Sequence, residues 1–514
     1  VRVSRGWWWL SGVVVGAIGL AVSYLVAGVL GVRSSPVVAV AESIRDLAPT
    51  GLVEWAKETF GTADKAVPVI GIFVFLVIAF GALGRLARTQ WWGAIAGYAA
   101  LGVIAAVAVM TRPDFITRHL APVVVGFLAW LVALAVLAAW LRKWELADGS
   151  SPSADEPPGQ DRRGFFLAAG AVGGVSLLAV VLGKVFGDKR DAVERDRETL
   201  RVDRVTKPVL PRGTKVDVEG VRPWQTPVED FYLIDTTILS RPAIRLRDWE
   251  LRIHGMVERE LVINYADLVS RGITQDWITL NCVSNEVGGD LIGNAWWSGF
   301  RLAGILAEAG PEVGADAVLQ TSEDGWNCAT PLAALTDDRN AMLAVYMNGE
   351  PLTVEHGFPV RTIVPGLYGY VSACKWVVDM EVTTFDAVEA YWTSRGWSEE
   401  GPVKISSRID VPNDGDDVPA GTLVCAGTAW KQHTGIEGVE VSLDGGAWTA
   451  AELARVPNAD TWVQWRAEID VPEGDHKLRV RAIGKDDDVQ TGVERDVLPD
   501  GSTGWHSIEF SASA

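Results

Sequence analysis

Cysteine is scarce: 514 residues carry four, Cys282, Cys328, Cys374 and Cys425. No two form a CxxC pair, so zinc ribbons and thioredoxin-type redox sites are not indicated. One or two disulfides remain open, and the spacing assigns none. Histidine is also sparse. His119, at a helix end, is the lone histidine of residues 1–190. Bis-histidine haem ligation needs facing pairs, so a haem conduit there is not expected. Positive charge is outnumbered: 46 Lys and Arg against 65 Asp and Glu leave a net charge of −19. Such a chain lacks the clustered cations that neutralise phosphate, which excludes nucleic acid as a partner.

What is abundant is apolar sequence, unevenly placed. Mean hydropathy is +0.17, and the excess sits in the first third. Five uncharged runs, 6–32, 66–84, 89–111, 120–141 and 164–183, are long enough to span a bilayer at 1.5 Å per residue. Trp7, Trp8, Trp9, Trp91, Trp92 and Trp140 sit at run ends, where amphipathic rings favour the headgroup region. Residues 33–65 read either as amphipathic pieces on the bilayer surface or as a solvated loop.

Counting Lys and Arg in short loops orients the bundle. With the N-terminus inside, Arg2, Arg5, Arg85, Arg88, Arg142, Lys143, Arg162 and Arg163 are cytoplasmic. Five spans then place everything after residue 184 outside the cytoplasmic membrane. Residues 145–160 have linker composition. Asp161-Arg162-Arg163-Gly164-Phe165-Phe166 follows, ahead of a Gly-rich span. It reads as an internal twin-arginine signal or as two stop-transfer arginines. The signal reading suits a domain that must be exported folded around a cofactor.

Residues 187–224 are charged and irregular, and are expected to form a stalk. Strand-like alternation begins at 249–255 and 260–263, with a helix over 265–270. A strand over 277–281 runs into Cys282, a Gly-rich loop follows, and a helix is expected over 302–309. The mixture predicts an α+β domain over 225–398. From 399 to 514 the pattern is all-β. Val439–Leu443 alternates, Asp444-Gly445 turns, and strands follow at 462–469 and 476–482. An immunoglobulin-like β-sandwich is expected there. The whole is then multi-domain: a transmembrane α-helical bundle over 1–186, the stalk, the α+β domain and the sandwich.

Two blocks resemble the sulfite oxidase superfamily of molybdenum enzymes. WITLNCVSNEVGGDLIGNAWWSGFRLAGILAEAG, 277–310, is similar to that family's cysteine loop and the helix entry after it. LAVYMNGEPLTVEHGFPVRTIVPGLYGYVSACKWVVDMEV, 343–382, is similar to its Met-Asn-Gly…His-Gly-Phe-Pro-x-Arg…Pro-Gly…Lys-Trp run. With the β-rich C-terminus, the resemblance covers roughly 225–510, and is nearest to a membrane-fused actinobacterial-type branch.

That resemblance implies a molybdopterin (Mo-pterin) cofactor and two-electron oxygen-atom transfer. Molybdenum suits soft thiolates. The resemblance makes Cys282 the protein's thiolate ligand and catalytic residue, whereas alone it reads as a buried structural cysteine. His356, Arg361, Ser372 and Lys375 are the implied cofactor-binding donors. Arginine offers phosphate a bidentate fork, and lysine a point charge. Phe231 and Tyr232 align with an aromatic pair near the pterin, with core packing as the alternative. Asn281 flanks the cysteine, as a cofactor contact or a capped turn.

The departures bear on substrate. The family's arginines around the open metal position are missing. Phe231-Tyr232 is followed by Leu233-Ile234-Asp235-Thr236, Cys282 by Val283-Ser284-Asn285-Glu286, and Lys375 is preceded by Tyr370-Val371-Ser372-Ala373-Cys374. Sulfite is thereby put in doubt, and a neutral organic substrate such as a sulfoxide stands beside it. Trp326 falls near the family's metal-facing tyrosine. No haem domain is attached, so electrons pass to or from a separate partner, a c-type cytochrome or a quinone-linked protein. The other expected partners are membrane lipid and a second copy of the chain, a homodimer through the sandwich. The missing arginines also motivate another reading, a membrane-tethered binding or assembly protein without turnover. Such a protein has no chemical need of the thiolate.

Overall fold

The structure, a computed structural model, describes residues 5–29, 36–47, 66–111, 117–148, 190–237 and 241–513. The chain divides into two compact units: Val1–Asp191 with Thr236–Ser240, and Ala192–Asp235 with Arg241–Ala514.

The first unit is helical: α1 (Arg5–Val29), α2 (Pro36–Leu47), α3 (Ala66–Thr89), α4 (Trp91–Met110) and α5 (Ala121–Asp148). Four stretches are long and apolar enough to cross a membrane: Gly6–Ala27, Gly71–Thr89, Trp91–Met110 and Thr117–Glu145. They coincide with the first four expected spans. The fifth, 164–183, and the Arg162-Arg163 pair lie outside the described residues, as does 48–65.

Large apolar residues point outward from these helices, among them Phe75, Ile78 and Val132, each at least 60% exposed. Such a surface is compatible with lipid. Inside, small residues let backbones approach. A Cβ at Gly12 would lie 2.7 Å from the Gly84 Cα, so α1 and α3 pack glycine on glycine. Trp130 Nε1 donates to the Gly16 carbonyl at 3.0 Å, and the Tyr98 hydroxyl to that of Gly12 at 3.3 Å. At one end, Glu145 accepts from Trp8 Nε1 at 3.0 Å and pairs with Arg88 at 2.9 Å.

A helix over 190–199, α6, gives the second unit its first residues, from Ala192 on. Much of the segment expected as a stalk packs into this unit: Val193, Leu200 and Trp224 belong to its core. The charges that suggest a free stalk lie on the helix's outer side, where Asp196 holds Arg245 at 2.8 Å.

Two sheets follow. One has the order β2-β1-β10-β5-β6, built from β1 (Glu250–Gly255), β2 (Leu261–Asn264), β5 (Ala317–Ser322), β6 (Asn327–Pro331) and β10 (Val377–Thr383). The other has the order β3-β4-β7-β8, with β9 pairing β7. Its strands are β3 (Ile273–Asn281), β4 (Ile292–Arg301), β7 (Met342–Met347), β8 (Glu350–Pro351) and β9 (Arg361–Ile363). The helices are α7 (Tyr265–Val269), α8 (Leu302–Ala309), α9 (Leu332–Thr336) and α10 (Gly369–Ser372). A capping box between Asn264 and Asp267 starts α7. Gly310, at φ 69°, closes α8 in the left-handed conformation that favours glycine.

The C-terminal region is all-sheet. One sheet runs β11-β13-β17-β16, from β11 (Ser406–Val411), β13 (Gly421–Trp430), β16 (Glu452–Leu453) and β17 (Val463–Val471). The other runs β12-β19-β18-β14-β15, from β12 (Asp417–Pro419), β14 (Ile436–Leu443), β15 (Thr449–Ala450), β18 (Gly474–Gly484) and β19 (Ser507–Ser513). Apolar residues of both sheets share one core. This region docks on β3: Thr279 N donates to the Asp460 carbonyl at 2.9 Å, and Trp224 and Trp462 exchange indole-to-carbonyl bonds at 3.1 and 2.9 Å.

Candidate active site

β3 ends in five buried residues, 277–281, and delivers Cys282 at the mouth of a loop. The β3–β4 ladder continues past the strands, with Cys282 N donating to the Leu291 carbonyl at 2.9 Å. The loop is braced from within by Asn285, whose Oδ1 accepts from Leu291 N at 2.8 Å. A cysteine so held is rigid, and it is 9% exposed.

Arg361 opens β9 and Lys375 stands just before β10, and the two are bridge partners. Thr362 and Cys374 lock that pairing through Thr362 N to the Cys374 carbonyl at 2.9 Å and Cys374 N to Thr362 Oγ1 at 2.8 Å. Gly357, at φ 103°, lies against both: a Cβ there would sit 3.0 Å from the Arg361 Cβ and 3.1 Å from that of Lys375. Only glycine combines that backbone with that clearance. His356 follows suit, its carbonyl accepting from Arg361 Nη1 at 3.1 Å and its Nε2 lying 3.1 Å from the Val228 carbonyl. Phe231 meets the His356 and Trp297 rings edge-on and stacks on Tyr232. A Cβ at Gly369 would lie 3.7 Å from both the Asn281 carbonyl and the Tyr232 hydroxyl. Thus the cysteine strand, the aromatic pair and α10 converge.

Burial dominates the electrostatics. It pushes His356 down to about 4, helped by Arg361, and Arg361 down to about 10. It lowers Lys375 to about 8, although Asp235 opposes the shift at 3.1 Å. Burial, then the charge of Cys282, raises the Tyr232 phenol. Tyr368 is raised to about 12, chiefly by burial.

Of the residues singled out from sequence, Ser372 stands apart. Its hydroxyl donates within the turn, to the Tyr368 and Leu367 carbonyls at 2.8 and 3.3 Å, leaving lone pairs rather than a proton for a ligand. Asp235, unremarked in sequence, accepts from Lys375 and, at 2.9 Å, from Arg241. It was visible only as a lone acid behind the aromatic pair. All four cysteines are buried, and none is in a disulfide.

Residues 238–392 match the family described as the oxidoreductase molybdopterin binding domain. An uncharacterized oxidoreductase, YuiH, of Bacillus subtilis (strain 168) is 31% identical over 153 residues, 30% of this chain and 74% of that protein. The chain belongs to the sulfite oxidase superfamily of molybdopterin-binding oxidoreductases. Mitochondrial sulfite oxidase of Homo sapiens is 28% identical over 292 residues, 46% of this chain and 52% of that protein. The chain thus spans about half the length of such relatives. The crystal structure of the sulfane dehydrogenase SoxCD from Paracoccus pantotrophus covers 61% of this chain and 90% of that one, with TM-score 0.50 at 23% identity, a likeness of fold.

A superfamily member implies a molybdenum–pterin cofactor, and the residues fit one. Asn281 Oδ1 and Arg361 Nε are buried without a protein partner. A buried guanidinium with a spare donor matches an anionic group, and a spare carboxamide oxygen matches a donor on a heterocycle.

Proposed function

We propose that this superfamily member is a molybdenum–pterin oxidoreductase performing two-electron oxygen-atom transfer on the outer face of the cytoplasmic membrane. The observation that carries the reading is the pair of buried atoms left for a ligand, Arg361 Nε and Asn281 Oδ1, with Arg361 bridged to Lys375 and bonded to the His356 carbonyl. When bound, the cofactor supplies the oxygen-atom and electron chemistry. Cys282 supplies the thiolate ligand from a braced loop. Arg361 and Lys375 would hold the anionic end of the cofactor, His356 would set the Arg361 fork through its carbonyl and offer its other ring nitrogen as an acceptor, and Asn281 and Tyr232 would contact the cofactor's polar edge. Phe231 keeps water from that side. Ser372 orders the α10 turn and accepts from the ligand.

The substrate is one of low charge, for which a sulfoxide is the model. No arginine stands beside Cys282 in sequence, and Asp235 neutralises Lys375. Four apolar helices anchor the enzyme in lipid. Electrons move to or from a separate c-type cytochrome or quinone-linked protein, and the C-terminal region joins two copies.

The test is molybdenum and pterin content of the purified chain beside Cys282→Ser. About one of each per wild-type chain is expected, with the molybdenum–thiolate signature lost in the variant. A metal-free and pterin-free protein from a cofactor-competent host would favour the tethered binding protein instead.

A further inference from the structure

The Cys282 loop is held from outside as well as from within, and the outer hold comes from the C-terminal sandwich. Arg408, on β11, is 2% exposed. Its Nη1 donates to the Gly289 carbonyl at 2.7 Å, and its Nε to Asp410 Oδ1 at 2.8 Å. The same carboxylate lies 3.9 Å from Arg222 Nε. Ser502 Oγ donates to the Asn285 carbonyl at 2.8 Å. His506 closes the third side: a Cβ at Gly288 would lie 2.2 Å from its Cδ2. The ring is fixed by Ile409 N, which donates to His506 Nδ1 at 3.0 Å. Three consecutive parts of one loop, Asn285, Gly288 and Gly289, are therefore each met by a different residue of the sandwich.

A buried arginine is costly unless its charge and donors are used. Asp410 answers the charge. Nη2 of Arg408 has no hydrogen-bond partner among the described residues, so the outer arm of the fork is committed through the Nη1 bond to Gly289. It is directed at the chain segment seven residues after the cysteine. We propose that Arg408 is a positioning residue for the Cys282 thiolate, and that the sandwich acts as the outer clamp of the metal-ligand loop, with Ser502 as its second tether. The proposal rests on Cys282 being the ligand. Loop position fixes the direction from which a ligand approaches a metal, so the clamp sets the thiolate's orientation without touching the reacting atoms.

The experiment uses the full chain with Arg408→Lys, which keeps a cation beside Asp410 but loses the fork, and Ser502→Ala, which disturbs no charge. Circular dichroism and the thermal midpoint check folding. In cofactor-free protein, iodoacetamide modification of Cys282 and hydrogen exchange of residues 283–291 are followed by mass spectrometry. Both variants should speed Cys282 modification by about tenfold, the effect of one hydrogen bond, with deprotection confined to that loop. In loaded protein, the thiolate-to-metal absorption band should shift in both. Wild-type modification rate and loop protection in folded variants would overturn the clamp. Should Arg408→Lys not fold, Ser502→Ala decides alone. A parallel Cys282→Ser that keeps the thiolate band would sink the ligand reading, whatever the loop does.

Discussion

Arg361 is the residue on which most of the site's order depends. It is 5% exposed, lies 5.3 Å over the Trp297 ring, and spends one nitrogen on the His356 carbonyl. Its spare Nε faces no protein acceptor. If Arg361 holds the cofactor as proposed, Arg361→Ala removes charge-assisted hydrogen bonds to it, each contributing ~1.5–3 kcal/mol. Cofactor affinity should fall by about one to two orders of magnitude, measured as pterin retained after dialysis. Unchanged occupancy would contradict the role.

His356 makes a prediction with a sign. Burial lowers it from the ordinary 6.5 to about 4. Between those values the unfolded chain carries a proton on this residue and the folded chain does not. The unfolded state then binds more protons, so stability falls as pH drops from about 6.5 to about 4. The loss amounts to about 3 kcal/mol for this group at the acid end. Thermal midpoints of cofactor-free chain across that window should fall less for His356→Gln than for wild type. Parallel curves would show that the histidine is not held neutral.

Among the elements, the glycine contact of α1 with α3 is the most exacting. Gly12 and Gly84 meet so closely that a Cβ at Gly84 would lie 2.6 Å from the Gly12 Cα. Gly84→Leu forces the helices apart and should destabilise the detergent-solubilised bundle by about 1–3 kcal/mol, read as a lower thermal midpoint. A variant as stable as wild type would mean that the pair is not a packing contact. The four long apolar helices of the described residues were legible, because length and apolarity decide them. So was β3 running into Cys282, since a half-buried strand alternates and a buried one does not. The bridge of Arg361 to Lys375 was legible only through a motif. The stalk was misleading: charge density at 187–205 hides Val193 and Leu200, two small apolar anchors in a polar run. Asp235 and Arg408 act across long separations, 140 and 119 residues from their partners, and local pattern carries no trace of such pairs.

At the scale of the whole molecule, the proposed orientation follows from the Lys and Arg count of the short loops. The apolar run 164–183 after Arg162 and Arg163 lies outside the described residues, and counting it as a fifth span puts the catalytic unit outside. An even number of spans would put the catalytic unit in the cytoplasm. The protein offers a clean probe. Its four cysteines are all buried, so an impermeant thiol reagent finds little background on the folded chain. Val313 is fully exposed in the turn after α8. Val313→Cys in otherwise wild-type protein should be modified by an impermeant maleimide in intact spheroplasts, to the same extent as after lysis. Modification that waits for lysis would put the catalytic unit inside. Five spans and an external electron partner would then fall together, while the cofactor site, which depends only on the second unit, would stand.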